Sequence, residues 1–174
     1  MPKIIKYTIF TTNWGFFGLA GTEKALVRSC LPASSREKVK SYLLKNTDTA
    51  NFDTGIFKTL QEQITAYFEG AYVNFNPDIS FAIDSFSLFA RQVLTVCRDI
   101  PFGQTTCYSS LAKKAGRPAA ARAVGRVLAK NPLPLIIPCH RVICADGRIG
   151  GFSSPCGVNC KNRMLELEQQ VICH

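Results

Sequence analysis

The first half of the chain opens with β-forming residues interrupted by turn residues. Lys3–Thr11 and Gly15–Ala20 are rich in branched and aromatic side chains, and Thr12-Asn13-Trp14 separates them as a turn would. Ala25–Leu31 has a similar composition. The pattern therefore predicts two strands joined by a turn, followed by a third strand.

Helical spacing replaces this pattern further along the same half. Apolar residues recur at helical spacing in Ser35–Lys45, where Ser34 or Ser35 provides the expected N-cap. A longer amphipathic helix is predicted from Phe57 to Phe68, ending at Gly70. This half contains no constellation of reactive groups, so we interpret it as a packing domain that supports the rest of the chain.

A change in pattern marks the domain boundary. Asn74–Asp78 is predicted to be a connector, because Pro77 breaks any helix, and we place the boundary near residue 82. The next apolar residues, over Phe86–Cys97, fall on one helical face, and Pro101-Phe102-Gly103 ends that helix.

Two further helices are predicted close together in the second half. A short helix over Tyr108–Ala115 is followed by Gly116 as a turn and by a helix over Pro118–Lys130. Pro118 suits the first turn of a helix, where its missing N–H costs nothing. Helix, glycine-containing turn and second helix form the outline of a helix-turn-helix.

The second of these helices divides into two faces at about 100° per residue. Arg122, Arg126 and Lys130 share one sector with several alanines, and the opposite side is apolar. Small residues let a helix backbone approach a groove wall while the cations reach phosphates or bases. Alanine-rich helices with outward arginines also occur in proteins that never meet DNA, so this face alone leaves both interpretations open.

These elements predict an α+β fold. Residues 1–82 form an N-terminal sheet-plus-helix domain, and residues 83–174 form a mainly helical C-terminal domain that contains the helix-turn-helix. The net charge of +9 is uneven: nine basic and seven acidic side chains give +2 in the first domain, and twelve and five give +7 in the second. Between Ile100 and Ala145 there are seven basic residues and no acidic one. A stretch with basic and no acidic residues indicates that the protein binds a polyanion, since a surface that only contacts solvent usually also carries acidic residues.

The remaining composition narrows the class of protein. No apolar run approaches the ~18–20 residues of a membrane span, and no signal peptide follows Met1, so we expect an intracellular protein, cytoplasmic in a prokaryote and nuclear in a eukaryote. The eight cysteines are then expected to be reduced. Cys156 and Cys160 are spaced four apart without further metal ligands nearby, so we expect no metal site. Neither a GxGxxG motif nor a P-loop is present, and we expect no cofactor.

The segment from Asn131 to Ile143 carries the candidate chemistry. Leu133–Ile137 is a short apolar run and is predicted to be a buried strand or extended segment. Pro138-Cys139-His140 follow directly at its end. A nucleophilic cysteine must be a thiolate, and a neighbouring histidine with a cationic surround lowers its pKa. Adjacent Cys and His side chains often point apart, however, so the pair alone does not establish catalysis.

Pro138-Cys139-His140-Arg141-Val142 is similar to the active-site signature of the O6-alkylguanine-DNA alkyltransferases, also called methylated-DNA–protein-cysteine methyltransferases. Further matches stand in the same order: Pro101-Phe102-Gly103 before Tyr108, Ala-Ala-Arg122-Ala-Val-Gly125, and Asn131-Pro132. The resemblance is close over about residues 84–170 and weaker before them. It implies a DNA repair protein that transfers a methyl or other alkyl group from O6 of guanine irreversibly to its own cysteine.

The resemblance implies a role for each of five catalytic residues. Cys139 attacks the alkyl carbon, and His140 acts, through a water, as the base that makes the thiolate. Glu168, on a C-terminal helix, orients His140 and balances its charge in the manner of a triad. Asn131 pins the turn that carries the cysteine. Tyr108 holds the guanine and supplies a proton or a hydrogen bond to the departing base.

The resemblance also implies base flipping, since the target atom lies inside a duplex. Arg122 would fill the gap in the base stack from the minor groove, the Ser153 N–H would bind O6, and Val142 and the backbone around it would contact the base. The other residues expected at the substrate or DNA are Ala121, Ala123, Gly125, Arg126, Lys130, Arg141, Gly150 and Phe152. The expected partner is double-stranded DNA with an alkylated guanine, bound with sequence tolerance by a monomer.

The chain departs from the family pattern at three places. Phe152 stands where members usually have Tyr, and the Ser154–Cys160 loop is about two residues longer than usual. Some members bind zinc through Cys and His in the N-terminal domain, whereas residues 1–82 contain Cys30 and no His. The resemblance therefore does not extend to that zinc site.

Three other functions would use parts of the same sequence pattern. A thiol hydrolase also uses Cys and His, but no papain-like or caspase-like signature surrounds Cys139. A protein that binds alkylated DNA without repairing it would lack the signature cysteine. A helix-turn-helix transcription factor would leave Cys139 inert.

Overall fold

The structure is a computed structural model that describes residues 4–75 and 78–173. The chain divides into two compact units, Met1–Ala82 and Ile83–His174. The predicted connector Asn74–Asp78 falls partly on residues 76 and 77, which lie outside the described residues.

The first unit is built on a four-stranded sheet with the order β3-β2-β1-β4. β1 and β2 are antiparallel, as are β2 and β3, whereas β4 runs parallel to β1. The three predicted strands are confirmed to within two residues, and β4 was not predicted because three residues carry no readable pattern. The strands are β1 (Ile5–Thr12), β2 (Gly15–Gly21), β3 (Leu26–Ala33) and β4 (Ala50–Phe52).

Helix α1 (Arg36–Leu43) lies against this sheet. It begins after Ser35, whose Oγ accepts a hydrogen bond from the Lys38 N–H at 3.3 Å, so Ser35 is the N-cap. Its buried residues Val39 and Leu43 pack into a core with strand residues that include Tyr7 and Cys30. The predicted helix is confirmed.

Helix α2 (Lys58–Phe68) completes the first unit. Its buried side chains include Leu60, Ile64, Tyr67 and Phe68, four of the five residues that the helical spacing selected. The fifth, Phe57, was wrongly placed in the helix, because its backbone has a φ of +56° and it precedes the first helical residue. The chain then reaches Gly70, which has a φ of +89° and ends the helix as predicted.

The second unit contains four helices in its described part. They are α3 (Leu88–Arg98), α4 (Tyr108–Lys114), α5 (Ala121–Leu128) and α6 (Gly157–Ile172). Between them, β5 (Thr106–Cys107) pairs in parallel with β6 (Val142–Ile143). α3 starts two residues later than predicted because Ser87 caps it, accepting the Ala90 N–H at 3.2 Å. No helix of the described chain is long and apolar enough to cross a membrane.

One predicted helix boundary and one predicted strand in the second unit are wrong. The helix expected from Pro118 begins only at Ala121, because the preceding residues form a turn in which the Arg117 N–H bonds to the Ala112 carbonyl and the Ala120 N–H to the Arg117 carbonyl. Leu133–Ile137 is buried as expected, but it is a tight turn and not a strand. The Ile137 N–H bonds back to the Leu133 carbonyl at 2.8 Å, and Leu135 has a φ of +77°.

Gly18 lies where β2 approaches α1 most closely. A Cβ at this position would stand 2.4 Å from Val39 Cγ1 and 2.5 Å from Leu43 Cδ1, well inside contact distance. We therefore expect Gly18→Ala to lower the free energy of unfolding by about 1–3 kcal/mol, as overpacking does. Gly55→Ala is the control, since its Cβ would meet nothing closer than Asp53 Oδ1 at 3.4 Å. Urea unfolding of both variants tests this, and equal stabilities would contradict it.

Candidate active site

Cys139 is presented by a turn that Asn131 holds in shape. Asn131 Nδ2 donates to the Ile137 carbonyl at 2.9 Å, and Asn131 Oδ1 accepts the Leu133 N–H at 3.0 Å. The backbone then enters a 3-10 turn over Cys139–Arg141, with the cysteine 7% exposed. The position of Asn131 fits the pinning role that the family resemblance implied.

The ring of His140 is held by Glu168 of α6. His140 Nε2 lies 2.7 Å from Glu168 Oε1, and both side chains are almost fully buried. Burial by itself raises the pKa of Glu168, but the hydrogen bonds and charges of His140 and Arg141 outweigh it and lower that pKa to about 2. The carboxylate therefore accepts, so Nε2 donates the hydrogen and Nδ1 is left as the basic nitrogen.

His140 Nδ1 is buried, and no group of the described residues bonds to it. Burial lowers the pKa of His140 and outweighs the opposing effect of Glu168. The imidazole is therefore neutral near pH 7. It combines a fixed orientation with a nitrogen that is free to take up a proton.

Cys139 itself is held as a neutral thiol. Burial raises its pKa, and the hydrogen bond from Asn131 and the charge of Lys161 only partly oppose this. The sequence-based expectation that a cationic surround lowers the pKa of this cysteine is therefore wrong. The low dielectric around the sulfur penalises a thiolate more than the nearby cation favours it.

Arg141 is the main correction to the predicted binding residues. Its side chain is buried, and its guanidinium bonds to both oxygens of Glu168, at 3.2 Å and 3.0 Å from Nε and 2.9 Å from Nη2. Nη1 donates to the Ile100 carbonyl at 2.7 Å. Arg141 therefore neutralises Glu168 and does not face DNA. Val142 is likewise buried, and it is not among the residues that line the pocket in front of the cysteine.

Lys161 is a site residue to which the sequence analysis assigned no role. It is fully buried, and its ammonium donates to the Val142 carbonyl at 2.6 Å and lies 5.8 Å from the centre of the Tyr108 ring. Burial lowers its pKa. A lysine on the same helical face as Met164 and Glu168, which are both buried, was the signal that could have identified it.

A pocket of about 200 Å³ opens in front of the cysteine. Five predicted site residues meet there, and Leu128, Ala129 and Gly151 are additions. Gly150 lies against it, since a Cβ there would stand 3.2 Å from Tyr108 Oη. The lining is Tyr108, Gly125, Leu128, Ala129, Cys139, Gly151, Phe152 and Ser153.

Helix α5 beside the pocket has one buried and one cationic face. Val124 and Leu128 are buried, whereas Arg122 and Arg126 are exposed. Ala121 and Ala123 are half-buried, and Lys130 is exposed just beyond the end of the helix. This distribution agrees with the two faces derived from the helical spacing. We call the exposed side formed by Arg122, Arg126 and Lys130 the α5 face.

A helix-turn-helix with an exposed cationic face, next to a pocket that ends in a thiol, defines a DNA-binding protein with a nucleophilic cysteine. Comparisons with known proteins agree. The family model of the 6-O-methylguanine DNA methyltransferase DNA-binding domain matches residues 88–170. A methylated-DNA–protein-cysteine methyltransferase of Methanosarcina acetivorans is 33% identical over 163 residues, which are 93% of this chain and 97% of that protein.

The chain belongs to the methylated-DNA–protein-cysteine methyltransferase family. A member from Mycobacterium tuberculosis is 38% identical over 117 residues, covering 67% of this chain and 68% of the relative. The crystal structure of Mycobacterium tuberculosis OGT in complex with DNA is similar with a TM-score of 0.79 and 32% identity, over 95% of this chain and 94% of that chain. The predicted α+β fold is thereby confirmed.

The Glu168 contacts predict a specific loss of stability in acid. The folded pKa of about 2 lies below the ordinary 4.5, so the carboxylate stabilises the fold above pH 4.5 and this contribution disappears as the pH falls toward 2. Glu168→Gln should therefore lower the unfolding free energy by about 3–5 kcal/mol at neutral pH, because Arg141 stays buried without a counter-charge. It should also flatten the pH dependence in that window.

Glu166→Gln is the matched control, since Glu166 lies on the same helix but is exposed. Urea unfolding at neutral and acidic pH compares the two variants. The structural interpretation is wrong if Glu168→Gln behaves like Glu166→Gln.

Proposed function

We propose that this protein removes a methyl or other alkyl group from O6 of guanine in duplex DNA and keeps it on Cys139. The observation that carries the proposal is the meeting of Cys139, Tyr108 and Ser153 in one pocket, with His140 held by Glu168 directly behind the cysteine. The names of the relatives, methylated-DNA–protein-cysteine methyltransferases, support it.

The reaction begins with a proton transfer, because Cys139 is a neutral thiol at rest. The Sγ proton passes through a water to Nδ1 of neutral His140, and the resulting imidazolium is stabilised by Glu168. The thiolate then attacks the alkyl carbon, so that the S–C bond forms while the C–O6 bond breaks. The electron pair of the broken bond remains on O6 of the departing guanine.

Tyr108 is suited to neutralise the departing base. Burial raises the pKa of Tyr108, so its hydroxyl keeps its proton until the guanine needs one. The guanine anion takes this proton, and the proton held by His140 restores the hydroxyl through solvent. The net products are an S-alkylcysteine and an unmodified guanine. The Ser153 backbone N–H is proposed to bind O6 as its negative charge develops.

The pocket also requires that the nucleotide leave the base stack. Its cysteine lies at the inner end, where a base still paired in a duplex cannot reach. We propose that Arg122, exposed on α5, occupies the gap, while Arg126 and Lys130 contact phosphates. Contacts of this kind do not read sequence, so binding is proposed to be sequence-tolerant and by a monomer.

Stoichiometry tests the proposed transfer. A thioether does not exchange as a disulfide does, so each molecule should take one alkyl group and stop, giving a burst equal to the amount of active protein. Mass spectrometry should place one added methyl on the Cys139 peptide, and Cys139→Ala should abolish transfer while DNA binding remains. Cys107 is the internal control, because the hydroxyls of Ser109 and Ser110 lower its pKa to about 7. Sustained turnover, or methyl on Cys107, would sink the proposal; binding without transfer would favour a recognition protein.

Arg122→Ala tests the proposed flipping role. Holding an extrahelical nucleotide is required for a duplex substrate and not for a free alkylguanine base. Repair of duplex DNA should therefore fall at least about tenfold, an effect of roughly 1.4 kcal/mol, while transfer from the free base changes much less. Single-turnover rates on the two substrates provide the measurement. Equal losses on both would reject this role for Arg122.

A further inference from the structure

A second cationic groove lies in the second unit, away from the cysteine. It encloses about 430 Å³ between α3 and the end of α4. Arg91 and Lys114 supply its two cations, Leu88 and Val96 supply apolar surface, and Gly116 of the helix-turn-helix turn also lines it. None of the residues proposed to act in alkyl transfer lines it. We call it the Arg91–Lys114 groove.

Arg91, which lines this groove, has a buried hydrogen-bond donor without a partner. Its Nε is shielded from solvent, and no acceptor among the described residues bonds to it. The ion pairs found among the described residues do not include Arg91 or Lys114. A buried donor without an acceptor costs about 1–3 kcal/mol, and an acceptor from a water or from a bound anion removes this cost.

The charge around the groove selects an anion as that acceptor. No acidic residue lines it, and the nearest ones in sequence are Asp84 and Asp99. Asp99 caps the far end of α3, eight residues or roughly 12 Å along the helix from Arg91. A planar guanidinium and an ammonium beside one small groove match the oxygens of a phosphate, and apolar walls strengthen their field.

The groove is connected to α5 through the turn that contains Gly116. This turn leads directly into α5, which begins five residues after Gly116. In the same turn the Arg117 guanidinium lies 5.1 Å from the centre of the Phe89 ring, which fastens the turn to α3. α3 and α4 both pack against α5. The groove and the α5 face therefore belong to one packed set of helices, α3, α4 and α5.

We propose that the Arg91–Lys114 groove binds a backbone phosphate of the DNA strand, as a contact separate from those of the α5 face. The Arg91 guanidinium donates to the phosphate oxygens, and Lys114 adds its charge from the opposite wall. Such a contact fixes how the helix-turn-helix lies on the duplex without reading its sequence. The proposal depends on DNA as the partner and not on alkyl transfer.

The salt dependence of binding to an undamaged duplex tests this groove. Each phosphate contact that is lost lowers the slope of log K against log salt by about one unit. We expect a decrease for Arg91→Gln and for Lys114→Gln, and a total of about one unit for the double variant, because both side chains contact the same phosphate. Arg126→Gln, on the α5 face, is the positive reference. Lys58→Gln removes one exposed charge from α2 and should leave the slope unchanged.

Arg91→Lys separates charge from geometry, since it should keep most of the slope while weakening affinity through loss of the bidentate contact. Thermal unfolding of every variant shows whether it is folded, and only folded variants are compared. Slopes for Arg91→Gln and Lys114→Gln equal to that of Lys58→Gln would overturn the proposal. Because the duplex carries no alkylated base, a failure of alkyl transfer does not affect this result.

The Arg91 Nε–H resonance distinguishes the source of the phosphate. It should shift when undamaged duplex is added and not with the same concentration of inorganic phosphate. The resonance is assigned by its loss in Arg91→Gln. A shift with inorganic phosphate alone would make the groove a site for a small phosphorylated ligand and would overturn the proposal for DNA.

Discussion

The Glu168 carboxylate joins three separate segments of the second unit. It bonds to His140 and Arg141 of the turn that carries the cysteine, and it accepts the Gly103 N–H at 3.0 Å from the segment after α3. The carboxylate itself comes from α6 and has almost no contact with solvent. Removing a charge from water costs several kcal/mol unless donors surround it, and here they do. The orientation of the histidine therefore depends on packing across the whole unit.

The buried contacts around Cys139 and His140 keep both side chains uncharged, and therefore unreactive, until substrate binds. Burial raises the pKa of Cys139 and lowers the pKa of His140, so thiol and imidazole are both neutral at rest. A protonated thiol is much less susceptible to oxidation than a thiolate, which suits a cysteine that is used only once. Because Nε2 of the neutral imidazole donates to Glu168, Nδ1 is left unprotonated and able to accept a proton. Desolvation thus protects the Cys139 thiol from oxidation, while His140 remains available as the base.

The cations of the second unit serve two different purposes. Arg141 and Lys161 are buried, where they bond to a carboxylate or a carbonyl and stabilise the site. Arg122 and Arg126 are exposed on α5, where they are available to phosphates. The acid-free stretch in the sequence contains both buried and exposed cations, and net charge alone does not distinguish the two groups. They are distinguished by their hydrogen-bond partners in the structure.

Local patterns were sufficient for much of this protein. The strands of the first unit, the capped α1, the two faces of α5 and the division near residue 82 all follow from spacing and turn residues, which depend on neighbours in sequence. The signature around Cys139 likewise identified the family, because it is contiguous. The short β4 and the start of α5 could not be read in this way, since a sheet edge and a backbone turn decide them.

Only the tertiary structure decided whether each charged side chain is buried or exposed to solvent. Arg141 and Arg122 look alike in sequence, yet Arg141 pairs with a carboxylate 27 residues away and Arg122 does not. The protonation of Cys139 was also beyond the sequence, which showed its cationic neighbours and not the loss of solvent around the sulfur. Both properties depend on contacts between distant segments. Burial and pairing arise when the chain folds on itself, so residue type and spacing alone do not determine them.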